Sequence, residues 1–229
     1  SKYLVGPEQT SWLEKFADEH NNIRAALNWS IHGNGDPQKG LRLARWFGQF
    51  WRARGFLSEG RKQLDAVLSH PDNQAPTETR GWALIRASNL AYLQSDYLVT
   101  RDLAEEALGI FEELGRDGQA GIAQAYDLLG ELETELGEYQ TAIPRFEQAL
   151  QIFQELENLR GVADMLLQLG WAEMRLGNYQ KADEFLSKSM PLLQVLEDST
   201  MLGLVLSGRG ELALRQGKVA DAEMLLEQS

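Results

Sequence analysis

A spacing of 40 residues governs this chain. Gly130, Gly170 and Gly210 keep it, as do Gly137, Gly177 and Gly217, and Ala142, Ala182 and Ala222; Tyr139 recurs as Tyr179. A fixed period of this size specifies stacked supersecondary units rather than one globular core. Each unit reads as helix, tight turn, helix. The first helix ends in Leu136-Gly137, Leu176-Gly177 or Gln216-Gly217, and the second opens directly after the turn.

Weaker copies precede the clear ones. Residues 37–54 and 57–69 form a divergent pair in which Gly48 and Gly55 keep the seven-residue separation of Gly130 and Gly137, with Gly60 and Leu64 at the positions of Ala142 and Phe146. Residues 76–94 and 97–114 form the next. There Ser88, Ser95, Tyr97, Thr100, Ala104 and Ala107 align at an offset of 42, and serines replace both glycines. The run from His70 to Pro76 is the longest linker, and Arg116-Asp117-Gly118 is an exit turn. The spacing therefore predicts a helical segment over 1–36 and an array over 37–229, with repeats at about 37–70, 76–116, 119–157, 158–196 and 198–229. About eleven helices fit this pattern. One of them covers 8–32, with Ser11 and Glu14 spaced as a capping box and His20-Asn21-Asn22 marking a bend or a junction. Asp36-Pro37 is a helix start, with the proline at the first helical position. Pro144 and Pro191 fall inside second helices and predict local kinks. Phe47 and Trp51 read as bulky core at the amino-terminal end of the stack. The last copy stops inside its second helix, at a Met224-Leu225-Leu226 run that is not the polar cap a stack needs, so a longer parent protein is expected.

Tyr126, Leu129, Gly130, Ala142, Phe146 and Ala149, then Leu166, Leu169, Gly170, Ala182, Leu186 and Ser189, then Leu206, Arg209, Gly210, Ala222 and Leu226, resemble the tetratricopeptide repeat (TPR). The resemblance implies an all-α fold, a TPR-like right-handed superhelical solenoid of antiparallel helix pairs. Gly130 and Ala142 would sit where the helices of a pair approach, with Phe146 and Leu186 filling the space between one pair and the next. A period of 40 in place of about 34 asks for helices about one turn longer.

Composition narrows the function. The chain has no cysteine, hence no disulfide framework and no thiolate metal site. No apolar run is long enough for a membrane span, and no signal peptide opens the sequence, so a soluble, cytoplasmic protein with no membrane partner is expected. Net charge is −12. Residues 1–80 hold 11 Lys and Arg against 9 Asp and Glu, whereas residues 81–229 hold 11 against 25. An acidic body argues against direct nucleic-acid binding. The three histidines, His20, His32 and His70, have neither nucleophile motifs nor metal-ligand spacing around them; His20 is expected to make a local hydrogen bond. No catalytic constellation is present, and no enzyme, cofactor or metal is expected.

Two runs in the amino-terminal part carry a more specific likeness. Trp12-Leu13-Glu14-Lys15-Phe16 with Glu19-His20-Asn21-Asn22-Ile23-Arg24-Ala25-Ala26-Leu27-Asn28-Trp29 is one. Leu41-Arg42-Leu43-Ala44 with Phe50-Trp51-Arg52-Ala53-Arg54-Gly55-Phe56-Leu57-Ser58-Glu59-Gly60-Arg61 is the other. Over about residues 10–70 the chain resembles the segment that follows the NB-ARC ATPase and winged-helix modules of bacterial STAND-type signalling ATPases, including MalT-like transcriptional regulators. The resemblance implies a sensor array that binds an inducer and releases a nucleotide-driven switch. This sequence contains no G-x-x-x-x-G-K-[ST] phosphate loop, so any ATPase lies outside it.

In TPR proteins the first helices line the concave face, which places candidate binding residues by register. They are Arg42, Arg45, Gln49 and Arg52 in the first repeat, and Trp82, Ile85, Asn89 and Tyr92 in the second. Gln124, Asp127, Glu131 and Thr134 follow in the third, and Asp164, Leu167, Trp171 and Met174 in the fourth. The arginine stripe suits a carboxylate or phosphate, and Trp82, Tyr92 and Trp171 offer stacking surfaces. The competing reading is that the arginines pair with acids of the neighbouring repeat and the tryptophans are half-buried packing. A protein, peptide or small-molecule inducer in the groove is the expected partner. The alternative is a TPR interaction scaffold without a switch.

Overall fold

A computed structural model describes residues 9–33 and 35–227. These residues form twelve α-helices joined by short turns, two of them 3-10 helical, so the fold is all-α. The helices are α1 (Gln9–Asp18), α2 (His20–His32), α3 (Pro37–Arg54), α4 (Leu57–Leu68), α5 (Glu78–Tyr92), α6 (Tyr97–Glu113), α7 (Gln119–Glu135), α8 (Tyr139–Glu155), α9 (Leu159–Arg175), α10 (Tyr179–Val195), α11 (Ser199–Arg215) and α12 (Val219–Glu227). From α3 onward they form antiparallel pairs. Two 17-residue helices and two three-residue turns make up the 40-residue period. The twelfth helix comes from a junction at Glu19, one residue ahead of the polar triplet that predicted it. The cap expected at Ser11 is not where the helix starts, because α1 already begins at Gln9. Asn34 lies outside the described residues. Pro144 and Pro191 lie inside α8 and α10, which both continue past them as single elements.

One turn design recurs between the helices of each pair. Gly55, Gly137, Gly177 and Gly217 take φ values of 73–81°. The amide of Gly137 donates to the Thr134 carbonyl and that of Glu138 to the Glu133 carbonyl; Gly177 with Asn178, and Gly217 with Lys218, repeat the two bonds. This left-handed residue satisfies carbonyls that a helix end leaves open. Ser95 fills the same role at φ 58°, with the same pair of bonds from Ser95 and Asp96. The return turns use Glu157 and Glu197, both at φ 52°, each followed by a capping residue: Asn158 accepts from the Gly161 amide (3.1 Å) and Asp198 from the Met201 amide (3.0 Å).

The chain falls into two compact units, Ser1–Ala125 and Tyr126–Ser229. In the second, the periodic glycines are sockets for the large residue sixteen positions later. A Cβ on Gly130 would lie 2.6 Å from the Phe146 ring, one on Gly170 2.7 Å from Leu186, and one on Gly210 2.7 Å from Leu226. Phe146 and Leu186 were expected to fill the space between pairs. Both pack first across their own pair, because the glycine leaves a hollow there. Leu186 also reaches the next pair, joining Ala163, Leu167, Leu193 and Val205 in one cluster.

The amino-terminal unit has an aromatic core. Phe47 and Phe50 stack at 4.5 Å, Trp51 meets Phe47 edge-on at 5.1 Å, and Phe16 of α1 lies edge-on to Phe47 and Phe50. His20 stacks on Phe56 at 5.1 Å and makes a 2.9 Å hydrogen bond with Glu59, which also pairs with Arg24. Its partner is thus on α4, 39 residues away, not local. Phe111 is fully buried between Gly81 and Gly121, where a Cβ on either would overlap its ring. The His70–Pro76 linker is tied down rather than loose. Asn73 is buried and donates to the carbonyls of Val67 (2.7 Å) and Pro37 (3.1 Å). Arg80 donates to those of Leu68 and Asn73 (both 2.9 Å) while pairing with Glu106 (2.6 Å).

Helical glycines with and without a facing side chain should respond oppositely to an added Cβ. Gly130→Ala is expected to lose about 1–3 kcal/mol of stability by overpacking against Phe146. Gly109→Ala, in α6 with no atom within 4 Å of the added Cβ, should gain up to about 1 kcal/mol from helix propensity. Urea melts of the two variants check the contrast. Ser95→Gly should stabilise by about 1 kcal/mol, since a non-glycine residue held at positive φ is strained; the same melts measure it.

Candidate partner-binding face

In the amino-terminal unit the face is built on α3. Asp36 caps this helix by accepting from the Gln38 amide, and Pro37 opens it. Its sequence carries Lys39, Arg42, Arg45, Arg52 and Arg54 and no acid, in a chain of net charge −12. Arg42 and Arg52 are exposed, and Arg45 and Gln49 partly so. Arg45 pairs with Glu78 (3.1 Å), and its guanidinium lies 5.2 Å from the Trp46 ring centroid and 5.6 Å from that of Trp82. The Trp82 indole N–H donates to the same Glu78 oxygen at 2.9 Å, and its ring meets Phe111 edge-on. Arg45 and Trp82 are thereby locked to each other through one carboxylate and a cation–π contact. Asn89 turns its amide back to the Ile85 carbonyl (2.8 Å), and Tyr92 lies 6.3 Å from the Tyr97 ring.

Arg86 lies one residue outside the 3-4-3 stripe, next to the buried Ile85. This residue follows Trp82 by one helical turn on α5, and its aliphatic stem lies against Gly48 of α3, where a Cβ would come within 2.8 Å. Burial, and then the charges of Arg52 and Arg45, push its guanidinium below the ordinary arginine value. Pairing with acids of the neighbouring repeat therefore holds for Arg45. Among the described residues, Arg42, Arg52 and Arg86 have no carboxylate partner.

In the carboxyl-terminal unit, Asp127 is buried and Glu131 accepts a hydrogen bond from Gln168 (3.2 Å). Trp171 is half-buried. It packs against the Leu167–Leu186–Val205 cluster and the Met174–Ala182–Leu212 cluster, and lies over Gly208 of α11. Ile85, Leu167 and Met174, which share the predicted stripe, are core residues at 0%, 6% and 1% exposure. The reason is geometric. A first helix packs on its own second helix and on neighbouring pairs, which leaves a narrower arc open than a 3-4-3 stripe covers. The open line on α5 is Trp82, Arg86 and Asn89, and on α9 it is Asp164, Gln168 and Trp171, spaced four then three. Among the described residues no group of three His, Asp or Glu side chains could hold a metal ion, and no helix is long and apolar enough to cross a membrane.

These helix pairs and their sockets match a known family. The model for the tetratricopeptide repeat covers residues 79–155 and 161–229. The chain belongs to the tetratricopeptide-repeat family. Solved structures extend the likeness through the amino-terminal helices. BtubC (BKLC) from P. vanneervenii is similar over 94% of this chain and 89% of its own, at 17% identity and a TM-score of 0.75. The apo form of RapI is similar over 96% of this chain and 58% of its own, at 15% identity and 0.70. A Rap protein complexed with competence and sporulation factor matches over 95% and 69%, at 12% and 0.67. No curated protein matches the sequence significantly.

The packing of Trp171 in this TPR chain yields a stability prediction. Trp171→Ala should cost about 2–3 kcal/mol, below the roughly 3–5 kcal/mol of a fully buried tryptophan, and Trp171→Phe clearly less. Denaturant melts measure both.

Proposed function

We propose that this TPR chain binds a polypeptide partner on the open lines of its first helices, with the α3–α5 face of the amino-terminal unit as the principal contact. The observation that carries this reading is the Arg45–Trp82–Arg86 surface. It is cationic and aromatic in an acidic chain, and of its two guanidinium groups only that of Arg45 has a carboxylate partner among the described residues. Arginine and tryptophan are the side chains most enriched where binding energy concentrates. The Rap protein complexed with competence and sporulation factor gives the reading a precedent in the same fold. In the carboxyl-terminal unit, Glu131, Gln168 and Trp171 form a second, more polar line, with Asp127 beneath it.

A finer reading places the array as the sensor of a STAND-type signalling ATPase that regulates transcription in the cytoplasm, with a peptide or small-molecule inducer as its ligand. Its support is the pair of sequence runs within residues 10–70. The discriminating observation is the sequence encoded upstream. A phosphate loop and a winged helix there favour the sensor, and their absence favours a scaffold without a switch.

The binding face is tested by capture from the source cell's lysate, comparing the native chain with an Arg45→Glu/Arg52→Glu variant of unchanged Tm. A polypeptide held by the native chain and lost, by about tenfold or more, from the variant is expected. Equal capture by both removes the α3–α5 face from the function.

A further inference from the structure

Three guanidinium groups converge on one small area of the amino-terminal unit. Gly48 receives the stem of Arg86, and on the same face of α3 Arg45 stands three residues before Gly48 and Arg52 four residues after it. Residues at these spacings share a helix face, so Arg45, Arg86 and Arg52 lie side by side across the α3–α5 contact. Two of the three are held in place. A larger residue than glycine at 48 would displace the Arg86 stem, and Arg45 is fixed between the Trp46 and Trp82 rings and by Glu78. The Glu78 oxygen that meets Arg45 also accepts the Trp82 N–H, so this carboxylate is already engaged.

The chain carries 34 Asp and Glu against 22 Lys and Arg, yet among the described residues none is placed against Arg52 or Arg86. A partly buried cation beside two like charges costs folding free energy, and one nearby acid would relieve it. The patch has three positive charges and one negative, Glu78. Its residual charge of about two matches the −1.5 to −2 of a phosphomonoester at neutral pH better than the single charge of a carboxylate. Guanidinium forks approaching from two helices suit a tetrahedral group with three acceptor oxygens.

We propose that Arg45, Arg52 and Arg86 form a binding site for the phosphomonoester of a phosphorylated side chain on the polypeptide partner. This rests on the polypeptide-binding reading above, but the site itself is testable without the partner.

The test is calorimetric titration of the full chain at low ionic strength with inorganic phosphate, and with a short Ala/Gly peptide carrying one phosphoserine, one glutamate or one serine. Variants are Arg86→Met, which keeps the stem on Gly48, and the exposed Arg52→Gln, which breaks no ion pair or side-chain hydrogen bond among the described residues. Saturable phosphate binding that weakens about tenfold or more in each variant is expected, with the phosphoserine peptide tighter than phosphate and than the glutamate peptide. The Tm of Arg86→Met should not fall, because the change removes an unpaired, partly buried charge. No saturable phosphate binding, or binding indifferent to both substitutions, overturns the site. A glutamate peptide that binds as well as phosphoserine overturns the preference for a dianion. Phosphate that binds without any gain from the peptide overturns the polypeptide source and points to a free phosphorylated ligand. Equal lysate capture by the native chain and the Arg45→Glu/Arg52→Glu variant, with phosphate binding to the native chain retained, counts against the partner reading alone.

Discussion

The contact between a helical glycine and a large side chain is what the stack depends on. Glycine in a helix interior costs about 1 kcal/mol relative to alanine. Burying an aromatic side chain removes roughly 150–250 Å² from water, worth about 4–6 kcal/mol at 25 cal/mol/Å². The exchange favours keeping the glycine wherever it admits a ring, and the chain does so in two registers. Gly130, Gly170 and Gly210 admit Phe146, Leu186 and Leu226 across a pair; Gly81, Gly121 and Gly161 admit Phe111 or Phe153 nearer the start of the first helix. Phe111, held from both sides, shows how one ring joins successive first helices.

The first register was legible in the sequence and the second was not, for a physical reason. Gly130, Gly170 and Gly210 meet a partner at a constant separation, so glycine and partner repeat together. In the second register the ring is thirty residues after Gly81, ten before Gly121 and eight before Gly161. Only the glycines keep the period, and a glycine alone does not announce what fills its hollow. The turns divide in the same way. Gly55, Gly137, Gly177 and Gly217 declare a left-handed conformation, whereas Ser95, Glu157 and Glu197 adopt it under the constraint of the helices around them. The Glu19 junction has no glycine or proline and is marked only by the polar triplet beside it, and the linker knot of Asn73 and Arg80 joins side chains to carbonyls that no pattern flags.

The candidate face was legible as far as helix register reaches. The α3 stripe of Arg42, Arg45, Gln49 and Arg52 lies on one surface as spaced. What register omits is how much of that surface the neighbouring pairs cover. The second stripe position is filled by Ile85, Asp127 and Leu167, all buried, while Arg86 and Gln168, one residue further on, reach the open side. Trp171 illustrates the same limit: its spacing suits a stacking platform, but the closeness of Gly208 draws much of it into the packing between α9 and α11.

Why a chain so rich in acids leaves a cationic area exposed is answered by where its acids are committed. Near the amino-terminal end, Glu59 holds His20 and Arg24, Asp36 caps α3, Asp96 pairs with Arg61 and Glu106 with Arg80. The contacts of Glu59, Asp96 and Glu106 each tie one helix or turn to another, so moving one of these acids to relieve Arg86 would loosen the stack. Among the described residues, Glu78 is the acid that reaches the patch, and it fixes the orientation of Arg45 and Trp82 instead of cancelling the charge of Arg52 and Arg86. The buried aromatic side of α3, with Phe47, Phe50 and Trp51, offsets the cost of an unpaired, partly buried guanidinium packed on Gly48 of the same helix. Arg45 and Arg86 are thus held before any partner arrives, and a ligand that neutralises the patch recovers the electrostatic cost as binding free energy with only the exposed Arg52 left to order.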